Sequence, residues 1–337
     1  MTRALDSLSR LSGLVLVALL LAACAQAPRP AAVLSPEAKA EAEVQREFAV
    51  QSFFERWERL NNVGFRLLSA NEPLCRQRGK SHKTLGLTAE YYTLRDHKDF
   101  FQAWSKTWGV GENTIVVTSV IPDGPAAKAG VMRGDVITSF SIQGGSTGKR
   151  VDVTQTMDAL SAKGPVALKL LRAGNAVSVT IPEPAGICAS SFVAAVGDVV
   201  NAFADGKNII VTYGIMNFFP KDEDLAVVLG HELAHNILGH VRKDESGKTI
   251  RTATPEAETE ADAVGLYFTA RAGFDITNAP SVWRRMAAQN PAHIRGGAVH
   301  PSSASRFVDL EAVKNEILQR QAAGLPLIPR PRVVPGE

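Results

Sequence analysis

The sequence predicts an α+β protein in which two helical parts enclose a segment of strands and turns. Within residues 35–91 apolar residues recur every three or four positions, the spacing of one face of a helix. Residues 92–184 instead hold short β-branched runs separated by Gly, Pro and Asp, a pattern typical of strands and turns. Helical spacing returns over residues 185–320. We therefore expect a mostly helical domain with a β-rich insertion.

Composition limits the classes of function. The chain has 337 residues, of which 45% are hydrophobic and 21% charged, so it can bury two cores and is not expected to be disordered. The formal net charge is only +3. Because this imbalance is too slight to attract a polyanion, we expect no nucleic-acid partner.

The N-terminus has the pattern of an export signal. Basic residues precede an apolar run, Leu11–Ala23, that is too short for a transmembrane span, which predicts a signal peptide over residues 1–23. The run leads into Cys24 through Leu-Ala-Ala and resembles a bacterial lipobox. The resemblance implies that Cys24 is lipidated and becomes the first residue of the mature chain. An ordinary signal peptide cleaved near Ala27 is the alternative.

The residues after Cys24 indicate where the lipid would hold the protein. Residues 24–34 are rich in Pro and Ala and are expected to form a tether. Ala25 stands where retention in the inner membrane would usually place Asp. The resemblance therefore implies an anchor in the outer membrane, with the protein facing the periplasm.

Two further cysteines, Cys75 and Cys188, would share an oxidising compartment. An even pair of cysteines in an exported protein is usually bridged, so we predict a disulfide between them. Two buried free thiols are the alternative.

A long helix is predicted after Ser35-Pro36-Glu37, which provides an N-cap, a proline that the first turn accepts and an acid. One face of this helix is predicted to be buried, because apolar residues and a glycine recur at helical spacing. They are Phe53, Trp57, Leu60, Gly64 and Leu67.

The middle segment begins with a predicted strand, Thr114–Val120, and continues through the turn Pro122-Asp123-Gly124-Pro125 to Gly134-Asp135. This run resembles the core signature of a PDZ domain. The resemblance assigns residues 92–184 to such a domain. It also implies a short helix near Pro125, a second helix over Val153–Leu160 and final strands over Val166–Leu171 and Ala176–Ile181.

A PDZ domain adds an extended peptide as a strand to the edge of its sheet. The resemblance therefore implies capture of a protein or peptide substrate, or of an envelope protein partner. An inert spacer is the alternative, since a PDZ fold alone does not establish a working groove.

The segment His231-Glu232-Leu233-Ala234-His235 carries two imidazoles one helical turn apart. Both therefore point to one side of a helix and can bind a single zinc ion, with Glu232 beside the open coordination position as the general base. First-turn acids and caps at Asp222–Asp224 and the final Gly239 bound the predicted helix.

A catalytic zinc site needs a third protein ligand. A metzincin would place it six residues after the second histidine, where this chain has Val241, so that class is excluded. His240 is one residue too early for the metzincin pattern and is interpreted as a surface or helix-end histidine.

The remaining option is a carboxylate from a second helix, predicted to begin at Thr254-Pro255. Glu258 and Asp262 lie four residues apart on one face of that helix. Glu258 is predicted to bind the metal, and Asp262 to accept the ring N–H of a ligand histidine and fix its orientation. Glu256 and Glu260 are interpreted as solvated charges.

Together these motifs resemble the family forty-eight metallopeptidases, the gluzincin group that includes HtpX-like, BepA-like and Oma-type proteins. The matching motifs are Asn201–Gly206, the strand Asn208–Thr212, Gly214, His231–His235, Gly239-His240, Glu258–Asp262 and Gly265. Gly265 lets two helices approach closely. The resemblance covers residues 193–319 well, with the PDZ-like segment as an insertion.

The resemblance implies a mostly helical gluzincin domain with one Zn²⁺ per chain and a small active-site sheet. Substrate lies extended along the edge formed by Asn201, Ala202 and Phe203. By similarity, His300 lies on a loop near the zinc, where it caps the metal in a resting state, and Arg306 stabilises the oxyanion. The residues themselves leave an alternative for each: His300 is then an ordinary residue of a loop before a helix, and Arg306 is a surface residue of that helix.

The sequence thus predicts a zinc-dependent endopeptidase of the bacterial envelope that hydrolyses extended or misfolded protein segments in quality control. The alternative is a non-proteolytic chaperone or scaffold that uses the PDZ-like groove. Glu232 argues against it, because a structural zinc site has no use for a base. Residues 321–337, rich in Pro and apolar residues, are expected to form an extended or disordered tail.

Overall fold

The computed structural model describes residues 34–94, 98–142, 145–146, 158 and 164–329. The predicted signal peptide, Cys24, the tether before residue 34, the end of the tail and all of the predicted helix Val153–Leu160 except Asp158 lie outside the described residues. Within them the protein is α+β, which confirms the predicted fold class. None of the described helices is both long enough and apolar enough to cross a membrane.

The described chain divides into two units, with the boundary after Gln45. In chain order the elements are α1 (Pro36–Ala70), α2 (Glu72–Gln77), β1 (Ser81–Thr84), β2 (Leu87–Tyr92), α3 (Phe101–Trp108), β3 (Thr114–Val120), α4 (Pro125–Lys128), β4 (Val136–Ile142), β5 (Gly145–Ser146), β6 (Val166–Arg172), β7 (Asn175–Ile181), β8 (Ala185–Cys188), β9 (Ser191–Ala195), β10 (Ala202–Ala204), β11 (Asn208–Thr212), α5 (Tyr213–Phe218), α6 (Asp222–Leu238), β12 (Val241–Lys243), β13 (Thr249–Arg251), α7 (Pro255–Arg271), α8 (Pro280–Gln289) and α9 (Ser303–Ala322), with 3₁₀ helices at Lys98–Phe100 and Pro291–Ile294.

Helix α1 begins as predicted, because the Ser35 hydroxyl accepts a hydrogen bond from the Ala38 N–H. Leu60, Gly64 and Leu67 are buried as predicted, whereas Trp57 is only half-buried. Phe54 is buried, whereas Phe53 is half-buried and stacks on Trp57 with the ring planes 10° apart. Helical spacing alone cannot decide which of two adjacent phenylalanines faces the core.

The inserted domain is an antiparallel sheet in the order β2-β3-β4-β6-β7, with β5 paired to β4. Its core is apolar and includes Leu85, Val117, Leu168 and Ile181. Strand β2 belongs to this sheet, so the sheet begins before residue 92, inside the segment predicted to be helical. The six residues of β2 are too few to give a clear alternation in sequence.

A stalk of two strands connects the insertion to the rest of the chain. Strand β1, which leads in, pairs antiparallel with β8, which leads out, and Thr84 lies opposite Ala185. At the other end of the stalk Cys75 and Cys188 form a disulfide. The chain therefore enters and leaves the insertion side by side.

The helical domain is built around α6 and α7, which pack along each other beneath the sheet β10-β11-β9. Strand β10 is antiparallel to β11 and forms one edge of that sheet. Helices α8 and α9 close the other side. Helix α9 continues to Ala322, two residues into the segment predicted as a tail.

Candidate active site and metal centre

Helix α6 carries the first two candidate ligands. Three acids in its first turn interact favourably with the positive end of the helix dipole. The N-cap residue is Lys221, not one of the predicted aspartates. Gly239, with φ of 82°, ends the helix in the left-handed conformation that glycine adopts without strain. His231, Glu232 and His235 are all buried on this helix.

The third candidate ligand comes from α7, whose N-cap Thr254 accepts a hydrogen bond from the Ala257 N–H. Glu258 lies one turn into this helix and is buried. Its carboxylate oxygens lie 3.4 Å from His231 Nε2 and 3.5 Å from His235 Nε2. The two imidazole Nε2 atoms are 3.1 Å apart.

This donor set fits a zinc ion. In tetrahedral coordination with Zn–N and Zn–O bonds of about 2.0–2.1 Å, ligand atoms lie roughly 3.3 Å from one another. The separations among His231, His235 and Glu258 are close to that value. Two imidazoles and a carboxylate are also a donor set found at catalytic zinc sites.

Asp262 and Arg306 support His231 from behind. His231 Nδ1 lies 2.8 Å from Asp262 Oδ1, although the carboxylate stands off the line of the ring N–H. Arg306 Nε and Nη2 each donate to Asp262 at 2.7 Å, and the guanidinium lies 3.5 Å above the Trp283 ring. Arg306 is only 9% exposed, so it is not a surface helix residue.

This pairing gives Arg306 a different partner from the oxyanion that the family resemblance implied. Two of its nitrogens are engaged by Asp262. Arg306 borders the cavity beside the candidate ligands and, in this structure, holds the carboxylate that faces His231.

Of the two interpretations of His240, the helix-end one is confirmed, because His240 directly follows the C-cap Gly239, and the surface one is wrong. Its side chain is 11% exposed, its Nδ1 lies 3.2 Å from His235 Nδ1, and its Nε2 lies 3.1 Å from Glu260 Oε2. Glu260 is therefore engaged with the site and is not simply a solvated charge, whereas Glu256 is exposed as expected.

Burial and close charges shift the pKa values of these groups. Burial lowers the pKa of His231, but Asp262 and then Glu258 outweigh it and raise that pKa to about 9. Burial raises the pKa of Glu258, yet hydrogen bonds from His231, His235 and His300 bring it far below its usual range. The Glu258 carboxylate is therefore kept ionised, as a ligand of a metal cation must be.

Glu232 lies between the candidate metal ligands and the edge strand β10. Its Oε2 accepts a hydrogen bond of 2.8 Å from the backbone N–H of Ala204 on β10. Burial raises the pKa of Glu232, against the opposing effects of His231 and of the Ala204 N–H. A raised pKa suits a carboxylate that must take up a proton during a reaction cycle.

The predicted substrate edge is partly occupied by the protein itself. Asn201 O and Asp205 N bond to β11, so the backbone groups of Ala202 and Ala204 face outward. The Ala204 N–H donates to Glu232, and its carbonyl accepts a 2.8 Å hydrogen bond from Arg251 Nη2. Ala202 therefore remains as the outward-facing pairing position of β10.

His300 lies at the rim of the same cavity. Its side chain is 58% exposed, and its Nδ1 lies 3.1 Å from Glu258 Oε2. It is thus close to one candidate ligand, Glu258, while the cluster that could hold a metal within the described residues consists of His231, His235 and Glu258.

The cavity joins all these groups. Asn201, Ala202, Phe203, Glu232, His300 and Arg306 border it together with the three candidate ligands. Sequence reasoning missed Arg251 and an apolar wall formed by Ile215, Val228, Trp283 and Met286. These residues come from four separate elements, and no local spacing in the sequence connects them.

Comparisons with known proteins agree with this site. The model of the family described as Peptidase family M48 matches residues 175–255, and a PDZ domain model matches residues 92–182. The chain thus contains an M48 peptidase domain and a PDZ domain, which confirms both resemblances. The M48 match ends before Glu258, so the third ligand rests on the geometry.

Curated relatives point to the same family. Mitochondrial metalloendopeptidase OMA1 of Saccharomyces cerevisiae is 28% identical over 33% of this chain and 42% of its own length. The Schizosaccharomyces pombe protein of the same name is 29% identical over the same shares, and the Arabidopsis thaliana protein is 28% identical over 26% and 24%. The chain therefore spans less than half the length of these relatives.

Among solved structures, the HtrA-type protease AlgW with decapeptide is 27% identical over 31% of this chain and 30% of that chain, with a TM-score of 0.23. A TM-score this low supports no conclusion about the fold.

Proposed function

We propose that this chain, with its M48 and PDZ domains, is a zinc-dependent endopeptidase that hydrolyses extended protein segments. The observation that carries the proposal is the convergence of His231, His235 and Glu258 beside Glu232, within a cavity bordered by an edge strand. The similarity to metalloendopeptidases supports it.

When bound by these ligands, zinc would polarise the scissile carbonyl and lower the pKa of a water molecule. Glu232 would take a proton from that water and pass it to the departing amine. The Ala204 N–H fixes the orientation of the Glu232 carboxylate, and the outward groups of Ala202 can pair with an extended chain. Trp283, Met286, Ile215 and Val228 line part of the cavity with apolar side chains.

The proposal is tested by incubating the zinc-loaded protein with an unstructured polypeptide and identifying the products by mass spectrometry. Glu232→Gln keeps the size of the side chain and removes the base, so we expect cleavage to fall by about 10²–10⁴-fold while zinc is retained. His300→Ala is assayed beside it, since His300 lies over the site. Equal rates in the wild type and both variants would refute the proposal.

The proposed substrates are extended or misfolded proteins of the bacterial envelope, and the PDZ domain would capture them or an envelope partner by strand addition. Support comes from the sequence pattern around Cys24, which resembles a lipobox and would place the protein on the periplasmic face of the outer membrane. Cys24→Ser should release the protein from the membrane fraction. Continued attachment would contradict the lipid anchor.

A further inference from the structure

We propose that His240 and Glu260 are positioning residues that hold the metal ligand His235 in the ring orientation and tautomer required for zinc binding. The inference rests on the proposed zinc site. It assigns a role to two residues that the hydrolytic mechanism does not use.

The contacts form a chain that leads away from the site. His240 Nδ1 lies 3.2 Å from His235 Nδ1, with the two rings inclined by 69°. The opposite nitrogen of His240, Nε2, lies 3.1 Å from Glu260 Oε2. His240 is shielded from water, whereas the Glu260 side chain is 40% exposed at the outer end of the chain.

The direction of the hydrogen bonds follows from the chemistry of imidazole. His235 presents its Nε2 to His231 and Glu258, so Nε2 must offer its lone pair to a metal and Nδ1 must carry the proton. His240 Nδ1 can accept a hydrogen bond from the Nδ1–H of His235 only when His240 carries its own proton on Nε2. Glu260 accepts from that Nε2–H.

The opposite arrangement would exclude the metal. If His240 donated from Nδ1, the proton of a neutral His235 would lie on Nε2, and its lone pair would no longer face the site. The Glu260 carboxylate disfavours this arrangement, because it needs a donor at His240 Nε2. Glu260 thus selects the tautomer of His235 through His240.

The backbone places His235, His240 and Glu260 next to one another. Gly239 turns the chain at the end of α6, and the His240 carbonyl accepts a 2.7 Å hydrogen bond from the Thr252 N–H. Each histidine ligand then has a carboxylate behind it. Asp262 faces His231 directly, and Glu260 acts on His235 through one intervening ring.

The test measures zinc affinity of the full chain by competition with a chelator, a readout that does not depend on peptidase activity. His240→Phe keeps an aromatic ring and removes both nitrogens. His240→Asn places an acceptor oxygen near the position of Nδ1. Glu260→Gln keeps the size of the side chain and removes its charge, and Glu256→Gln, at an exposed position of the same helix, is the matched control.

We expect His240→Phe to weaken zinc binding by about 10–100-fold, the range measured when partners of metal-binding histidines are removed. His240→Asn should recover most of that loss. Glu260→Gln should bind zinc more weakly than Glu256→Gln, which should match the wild type. In the cobalt-substituted protein, His240→Phe should shift the visible absorption bands and Glu256→Gln should leave them unchanged.

Three results would overturn the inference: His240→Phe folded and equal to the wild type in zinc affinity, His240→Asn no better than His240→Phe, or Glu260→Gln equal to Glu256→Gln. If His240→Phe does not fold, the comparison of Glu260→Gln with Glu256→Gln still tests the inference. If the wild-type protein bound no zinc, the proposed function would fail together with this inference. If the wild type bound zinc and the variants bound it equally well, only this inference would fail.

Discussion

Gly230 on α6 and Gly265 on α7 meet where the helices that carry the candidate metal ligands cross. A Cβ on Gly265 would lie 2.6 Å from the backbone N of His231, and a Cβ on Gly230 would lie 2.6 Å from the carbonyl oxygen of Gly265. Both contacts are with backbone, so rotation of a side chain cannot relieve them. The short distance between His231 and Glu258 therefore depends on two residues without side chains.

Gly265→Ala is expected to push the two helices apart. We expect a loss of about 1–3 kcal/mol in the free energy of unfolding, the usual effect of overpacking, together with weaker zinc binding. Urea denaturation and chelator competition measure the two effects. Gly111→Ala is the control, because nothing lies within 4 Å of its Cβ position. Equal stability of the two variants would contradict the prediction.

Glu258→Ala should abolish stoichiometric zinc binding and peptide cleavage, because it removes one of three donors that converge on one point. Glu256→Ala should retain both properties, since Glu256 is exposed on the same helix. Metal analysis of the two purified proteins checks this. Equal zinc content would show that Glu258 is not a ligand.

The disulfide should form when the protein is produced in an oxidising compartment, and it should stabilise the protein. Mass mapping without reduction is expected to find Cys75 joined to Cys188. The double variant Cys75→Ser/Cys188→Ser should lose about 2–4 kcal/mol in the free energy of unfolding, because the bridge closes a long loop of the unfolded chain. Two alkylatable thiols in the native protein would contradict the pairing.

His300→Ala tests whether the enzyme is held inactive at rest. His300 lies at the mouth of the site, with its Nδ1 3.1 Å from Oε2 of the candidate ligand Glu258. If it caps the metal there, removing the ring should raise the rate of cleavage of an unstructured peptide. A lower rate at unchanged zinc content would instead make His300 a residue that assists the reaction.

How much of the site the sequence predicts depends on how local each signal is. His231, Glu232 and His235 lie within one stretch of five residues, and Glu258 and Asp262 lie within another. Helix geometry alone therefore predicts which side chains of each stretch share a face. The contacts His235–His240–Glu260 and Ala204–Arg251 join separate elements. No periodicity encodes such contacts, because they depend on how the helices and the hairpin pack.

The same reasoning applies to the fold. Strand β3 lies where the sequence predicts it, and β6 and β7 lie where the resemblance to a PDZ domain implies them. Strand β2 is recognised only through its pairing with β3, since its own six residues give a weak pattern. Tertiary pairing decides the state of such short segments.

The stalk below the inserted sheet makes that sheet a replaceable module. Thr84 and Ala185 are partners across a strand pair, so the two cut ends that would remain after excision of residues 85–184 lie as close together as neighbouring strands, about 5 Å. A two-residue turn such as Asn-Gly could join them into a hairpin. Excision would also uncover Phe54 and Trp57 on α1, which contact Trp104 and Thr88 of the excised segment, so polar replacements at Phe54 and Trp57 would be needed. With them, the catalytic half could be produced as a minimal enzyme, and other recognition domains could be grafted onto the same two strands to redirect it to chosen targets.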